Sequence, residues 1–264
     1  MLQLTTDLSD ALLELIHAKE APIDAVEVGP WFSVEQIRGY RQTLPQFPFY
    51  FHGGDLIGRV GLIPGAVSKI AAYLQSTESR WASMHITLWL PGMVWLMLRW
   101  GWRMPRPNPE RATRRFIQQV KRLERSISVP VILENIEPLP FAGYDLEART
   151  ERIVQVLEKT GCGFLLDIGH ARVSAATLGI DVYDYLRGLP LKRVVQVHVS
   201  GPRMRAGRLI DAHEPLQEID YALLDFVLEQ AGPQVITLEY IRERESLREQ
   251  LFHLRSILNA RSAY

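Results

Sequence analysis

Five of the seven histidines in this chain fall at or just past the end of a short apolar run, or in the loop that follows one. They are His52 (FPFYFH), His85 (WASMH), His170 (FLLDIGH), His198 (RVVQVH) and His213 (LIDAH). Four carboxylates share that placement: Glu134 (PVILE), Asp167 (FLLD), Asp211 (GRLID) and Glu239 (VITLE). Imidazole and carboxylate donors suit iron, zinc or manganese. A catalytic zinc ion usually takes only three protein ligands, so this many donors meeting in one place exceed what a single ion needs. Carboxylates can bridge ions, and such a set could hold two or three metals about 3.5–4 Å apart. Asp167 and His170 flank one turn. Asp211 and His213 lie two residues apart, which puts them on one side of an extended segment.

Plainer readings exist for each residue taken alone. A single strand histidine is more often structural than a ligand, Asp167 would serve as a helix N-cap, and Glu134 and Glu239 could pair with arginines. The repetition is what favours metal, because buried charge is costly unless paired or metal-bound. Glu27, at the end of another apolar run, and Asn135 are candidates for holding a ligand side chain or facing the substrate. His17 and His253 fall in helical segments and read as surface or packing residues.

Donors so far apart in sequence need a scaffold that gathers strand ends. Eight β-rich runs are predicted: 2–5, 25–28, 49–52, 83–88, 131–134, 164–168, 194–198 and 235–239. Helical spacing predicts helices at 10–18, 66–74, 110–123, 146–157, 221–228 and 247–258. Asn108-Pro109 and Asp220 read as start signals. This alternation predicts a single (β/α)₈ TIM barrel spanning 1–264, with the metal site at the C-terminal strand ends. A doubly wound sheet is the alternative. Two connections are long, a Trp/Arg-rich loop at about 89–108 and the stretch 199–217 that carries Asp211 and His213. Such loops are often lids or binding elements.

Composition narrows the function. Lys plus Arg and Asp plus Glu both number 30, so long-range attraction to nucleic acid is not expected from the whole molecule. The single cysteine, Cys162, excludes an intrachain disulfide and a cysteine zinc cage. The N-terminus lacks the pattern of a secretory signal. The most apolar stretch, 86–102, is broken by Pro91, Gly92 and Arg99 and is too short to span a membrane. A cytoplasmic location is the expectation.

The order His52, His85, Glu134, Asp167-x-x-His170, His198, Asp211-x-His213, Glu239 resembles the trinuclear site of the endonuclease IV barrel superfamily, which is xylose isomerase-like. Within it, ISVPVILEN, CGFLLDIGHARVSAATLGIDVYDYLRGLPLKRVVQVHVSG, LIDAHEPL and FPFYFHG resemble the multinuclear non-haem iron-dependent oxidases. The resemblance implies that reduced iron activates dioxygen and that a residue, often cysteine, of a ribosomally made peptide is modified. It also implies that a separate protein often delivers the peptide. Two departures stand out. The oxidases usually carry Asn-Asn where this chain has Gly169-His170, and commonly a histidine where Pro202 follows Gly201.

Three chemistries and one binding role remain open at this stage. An iron oxidase would need a shielded site, and Trp81, Trp89, Trp95, Trp100 and Trp102 could supply the shield. A zinc or manganese phosphoesterase would use the basic segment 99–125 to grip phosphate. A sugar isomerase or epimerase would need only Glu134, Asp167, His198 and Glu239, with Glu134 and Glu239 moving a proton. A barrel that only binds a partner through the Trp-rich loop would lose nothing when His198 and Asp211 are replaced.

Overall fold

The computed structural model describes residues 2–89, 99–101, 108–139 and 144–262. Eight parallel strands close into a barrel. They are β1 (Gln3–Asp7), β2 (Ala25–Val28), β3 (Phe49–His52), β4 (Ala82–His85), β5 (Val131–Glu134), β6 (Gly163–Asp167), β7 (Val194–Val199) and β10 (Val235–Leu238). The order around the barrel is β1-β10-β7-β6-β5-β4-β3-β2, so neighbours in sequence are neighbours in space. Strands β2, β3, β5 and β10 are buried at every position, as parallel strands covered on both faces must be.

The helices surround this barrel. They are α1 (Asp10–Ala18), α2 (Val34–Thr43), α3 (Ala66–Thr77), α4 (Pro109–Glu124), α5 (Thr150–Thr160), α6 (Ile168–Leu178), α7 (Val182–Arg187), α8 (Glu218–Gln230) and α9 (Arg244–Ser262). Asn108 caps α4 through the Arg111 N–H at 3.0 Å, with Pro109 in the first turn, as its sequence predicts. Asp220 does not precede its helix. It sits inside the first turn of α8 and accepts the Gln217 N–H at 2.8 Å. The predicted helix 146–157 is a 3₁₀ turn (Leu146–Ala148) followed by α5. Helix α6 carries little amphipathic signal because its first half is buried almost all round.

Two differences from the sequence reading matter for the site. Strand β1 runs on to Asp7, and β4 stops at His85. The stretch 199–217 is largely an antiparallel hairpin, β8 (Gly201–Arg205) and β9 (Arg208–Glu214), rather than a loop. Most of the Trp/Arg-rich segment lies outside the described residues, Trp95 and Trp102 included. Trp81 does not belong to a shield over the mouth. It is buried with the barrel-lumen residues, stacked on Tyr50 at 4.8 Å, with its indole N–H on Gln196 Oε1 at 2.8 Å. Among the described residues no helix is long and apolar enough to cross a membrane.

Trp89 is also buried, and its indole N–H donates to Glu147 Oε2 at 2.6 Å. Burial pushes the Glu147 carboxyl up to about 8, against hydrogen bonds from Trp89 and from the backbone. The folded chain therefore keeps a proton that the unfolded chain loses near the ordinary glutamate value. The stabilisation is full below about pH 4.5 and disappears as pH rises through about 8. Glu147→Gln should match the parent in melting temperature at pH 5. It should exceed the parent progressively up to pH 9, by at most about 5 kcal/mol in stability. Parallel melting curves for both proteins across that range would refute the assignment.

Candidate metal centre

Alternation along the strands explains how distant residues converge. Ala25, Tyr50, Trp81, Ile132, Leu165 and Val235 form an apolar cluster separate from the core beneath the helices. Two residues further along the same strands, and so on the same face, stand Glu27, His52, Ser83, Glu134, Asp167 and Thr237. His85 and Glu239 follow Ser83 and Thr237 by the same step, and His198 follows Gln196. The lumen is thus plugged by apolar side chains below and lined by ionisable ones above. Register keeps them level: His85 pairs with Glu134, and Asp167 with His198.

Glu134 is the hub. Its Oε2 lies 3.5 Å from His52 Nδ1 and 3.6 Å from His85 Nε2, and its Oε1 lies 3.4 Å from His170 Nδ1 and 3.8 Å from His198 Nδ1. His198 Nδ1 is also 2.9 Å from Glu239 Oε1. His170 Nδ1 is 3.7 Å from Asp167 Oδ2, and its Nε2 is 3.7 Å from Asp211 Oδ2. His213 closes the ring, with Nε2 2.5 Å from Asp211 Oδ2 and Nδ1 3.9 Å from Glu239 Oε2. All nine predicted donors therefore join one connected cluster. Asp167 also caps α6 through the His170 N–H, so the cap and the cluster use the same residue.

Asp211 and His213 reach the site through a bulge. In the hairpin, Gly201 pairs with Glu214 and Arg203 with Ile210, so Pro202 alone faces Asp211, Ala212 and His213. Bulges re-aim side chains. His213 adopts a left-handed backbone with φ 45°, a conformation that costs a non-glycine residue roughly 1–3 kcal/mol. Ser200 Oγ donates to Asp211 Oδ1 at 2.8 Å and ties the arm to the end of β7.

Glu27 and Asn135 both lie at the cluster. Asn135 Nδ2 donates to the Asp167 carbonyl, and its Oδ1 accepts the Asp167 N–H, each at 2.9 Å. Its own carbonyl is 2.9 Å from His170 Nδ1. Glu27 Oε1 sits 3.0 Å from His198 Nε2, and Oε2 accepts from Gln196 Nε2 at 2.6 Å. Several contributors escape the sequence reading. Asp7 ends β1, opposite Glu27 in register. Asp55 contacts His85 Nδ1 at 2.9 Å, and Glu137 contacts His170 Nε2 at 3.1 Å. Gln196 was legible in principle, since it precedes His198 by two residues on one strand. Asp55, Glu137 and Ser200 sit in turns beyond the strands, where no periodicity points to them.

The electrostatics are those of mutual support. Burial opposes ionisation of Glu134, yet His85, His52, His170 and His198 hold its carboxyl down at about 2. Burial likewise opposes charge on His198, but Glu27, Glu239 and Glu134 raise it well above the ordinary imidazole range. Burial drives Asp167 well up, helped by Glu239, Glu134 and Asp211. His213 is lifted to about 10 by Asp211 and Glu239 against desolvation. Even so, both Glu134 oxygens, Asp167 Oδ2, Glu239 Oε2 and His198 Nδ1 are buried with no aligned hydrogen-bond partner among the described residues. Unsatisfied buried acceptors each cost about 1–3 kcal/mol or more. Three overlapping triads bring one donor atom from each member within 4.8 Å of one another: Glu27-His52-His198, His52-His85-Glu134 and Glu134-Asp167-His198. The donor set and its unpartnered atoms fit bound cations.

The sequence model describing the RiPP precursor modification enzyme MbnB/TglH/ChrH matches residues 8–259. The chain belongs to this family. The resemblance carried by the D-x-x-H and D-x-H motifs is thereby borne out. A UPF0276 protein of Caulobacter sp. (strain K31) is 30% identical over 141 residues, covering 52% of this chain and 51% of that one. UPF0276 protein PA3283 of Pseudomonas aeruginosa is 26% identical over 212 residues, covering 77% and 72%. The match thus spans about half the length of the Caulobacter relative. Among solved structures, a D-tagatose 3-epimerase-like protein superposes with TM-score 0.61 at 14% identity, covering 98% of each chain. A xylose isomerase-like TIM-barrel protein from Mycobacterium smegmatis in complex with magnesium gives 0.60 at 12% identity, covering 98% and 97%. At such identities the likeness concerns the fold alone.

Proposed function

We propose that this chain, taken as one barrel domain, is an oxidase that modifies a residue of a ribosomally made precursor peptide in the cytoplasm. Cysteine is the first candidate for that residue. Two or three iron ions would be held by His52, His85, Glu134, Asp167, His170, His198, Asp211, His213 and Glu239. The observation that carries the reading is one cluster of five imidazoles and four carboxylates, with buried donor atoms left unpartnered, in a member of a peptide-modifying family. When bound, reduced iron would supply the activation of dioxygen.

The chain's own residues have definable tasks. Glu134 bridges the two sides of the site through its two oxygens. Glu239, nearer the His213 rim, would be the carboxylate that takes a proton from substrate. Glu27 and Asn135 hold His198 and Asp167 in place. Trp31, about half exposed and with its ring 6.4 Å from that of His52, offers the peptide an aromatic wall. Within the described part of the basic segment, Arg115 is engaged inside the chain, donating to the Leu88 carbonyl. A separate peptide-recognition protein is part of the proposal.

Anaerobic purification followed by elemental analysis and spectroscopy for coupled iron tests this reading. Two or three irons per chain, with oxygen consumption in the presence of the precursor peptide, are expected. Tightly held zinc or manganese with no oxygen dependence would replace the oxidase by a phosphoesterase. Occupancy by one metal with activity on a ketose would favour the isomerase, whose four residues include the Glu134-Asp167-His198 triad.

A further inference from the structure

We propose that Asp55 and Ser83 are positioning residues that set His52 and His85 in one tautomer, so that both Nε2 lone pairs face a shared cation. The inference deepens the metal reading and rests on it. It follows from counting hydrogens.

Asp55 stands in the 3₁₀ turn Gly54–Arg59 after β3. Gly54 takes a left-handed φ of 51°, and a Cβ built there would meet His85 Cε1 at 3.7 Å and His52 Nε2 at 3.9 Å, so the turn crosses close above both rings. Asp55 Oδ1 accepts from Thr87 Oγ1 at 2.8 Å and lies 2.9 Å from His85 Nδ1. A carboxylate only accepts, so Nδ1 of His85 must carry the hydrogen. In the neutral ring Nε2 is then bare, and it points to Glu134 Oε2 at 3.6 Å.

For His52 the deciding partner is Ser83. Its hydroxyl donates its single hydrogen to the Phe51 carbonyl at 3.1 Å. Towards His52 Nδ1, 3.1 Å away, Ser83 Oγ can therefore only accept. His52 too carries its hydrogen on Nδ1 and leaves Nε2 bare. The two Nε2 atoms stand 3.2 Å apart. Two lone pairs cannot hydrogen-bond each other. Two nitrogens bound tetrahedrally to one ion at 2.0–2.1 Å would be about 3.3 Å apart. The seat is set by oxygens that touch no metal, an arrangement that fixes ring orientation and basicity.

Zinc alone is a suitable probe, because it is diamagnetic and favours imidazole. Long-range proton–nitrogen spectra of the zinc-loaded protein should show His52 and His85 protonated at Nδ1 and bound through Nε2. The Asp55 side chain is 70% exposed, so Asp55→Ala should leave the metal-free fold intact. This variant should weaken one zinc site by about 10–100-fold in chelator competition. Asp55→Asn, whose amide oxygen still accepts from both neighbours, should restore most of the loss. Ser83→Ala should weaken the same site. Unchanged zinc affinity in Asp55→Ala, or zinc on Nδ1 of either ring, would overturn the proposal and leave the metal reading standing. A parent protein that takes up neither zinc nor ferrous iron would overturn both.

Discussion

Glu134→Gln is expected to strip most of the bound metal from this protein while leaving its fold intact. The replacement has the same shape, so the surrounding packing survives. It removes the one charge that faces four imidazoles at 3.4–3.8 Å. It also turns one acceptor oxygen into a donor amide, which cannot ligate a cation. Changes to groups that merely support a ligand already cost about 10–100-fold in affinity or activity, and a bridging carboxylate should cost more. After anaerobic reconstitution with ferrous iron, the variant should hold at most one ion, with peptide modification reduced at least 100-fold. Its metal-free melting temperature should fall below the parent's at neutral pH, since a carboxylate held down at about 2 by four imidazoles stabilises the fold when ionised. Full metal content in a folded Glu134→Gln protein would remove Glu134 from the centre.

The second large effect is expected from a residue with no side chain. A Cβ on Gly201 would sit 2.1 Å from the Glu214 carbonyl oxygen and 2.6 Å from that of Pro215. Both are backbone atoms, so the arm must move. Gly201→Ala should displace the bulge that aims Asp211 and His213, and misplacement by about 1 Å can reduce turnover 10²-fold. One metal should be lost and the rest retained. Gly207→Ala is the control. Its φ is 77°, with nothing within 4 Å of the added methyl, so it carries conformational strain without a collision. Normal metal content in Gly201→Ala would show that the arm does not set the site.

Much of this was legible before any coordinates. Hydrophobic runs ending in His, Asp or Glu revealed the barrel and pointed to the nine side chains that gather at its mouth; for those on barrel strands, a strand of period two that is buried below must turn the same face to the mouth above. Asp211-x-His213 was readable as a pair but not as a bulge, since two extra residues in a hairpin leave no periodic trace. Asp7 was hidden by a predicted strand that ended too early. Asp55 and Ser200 act through turns, whose paths depend on tertiary contacts. Trp81 misled for a physical reason: a tryptophan next to an apolar loop resembles a lid residue, whereas here its ring fills the lumen and its N–H is satisfied by a buried glutamine.

The hairpin divides the donors by mechanical footing. A barrel strand is laced to neighbours on both sides, whereas β9 has β8 alone as its paired strand. Five of the nine side chains therefore stand on a stiff frame of laced strands and His170 and Glu239 follow directly after two of them, whereas Asp211 and His213 ride on an appendage. Natural variation can lengthen, shorten or re-aim that appendage without disturbing the frame. Divergence in substrate preference among relatives should accordingly concentrate in residues 199–217, while the frame changes slowly.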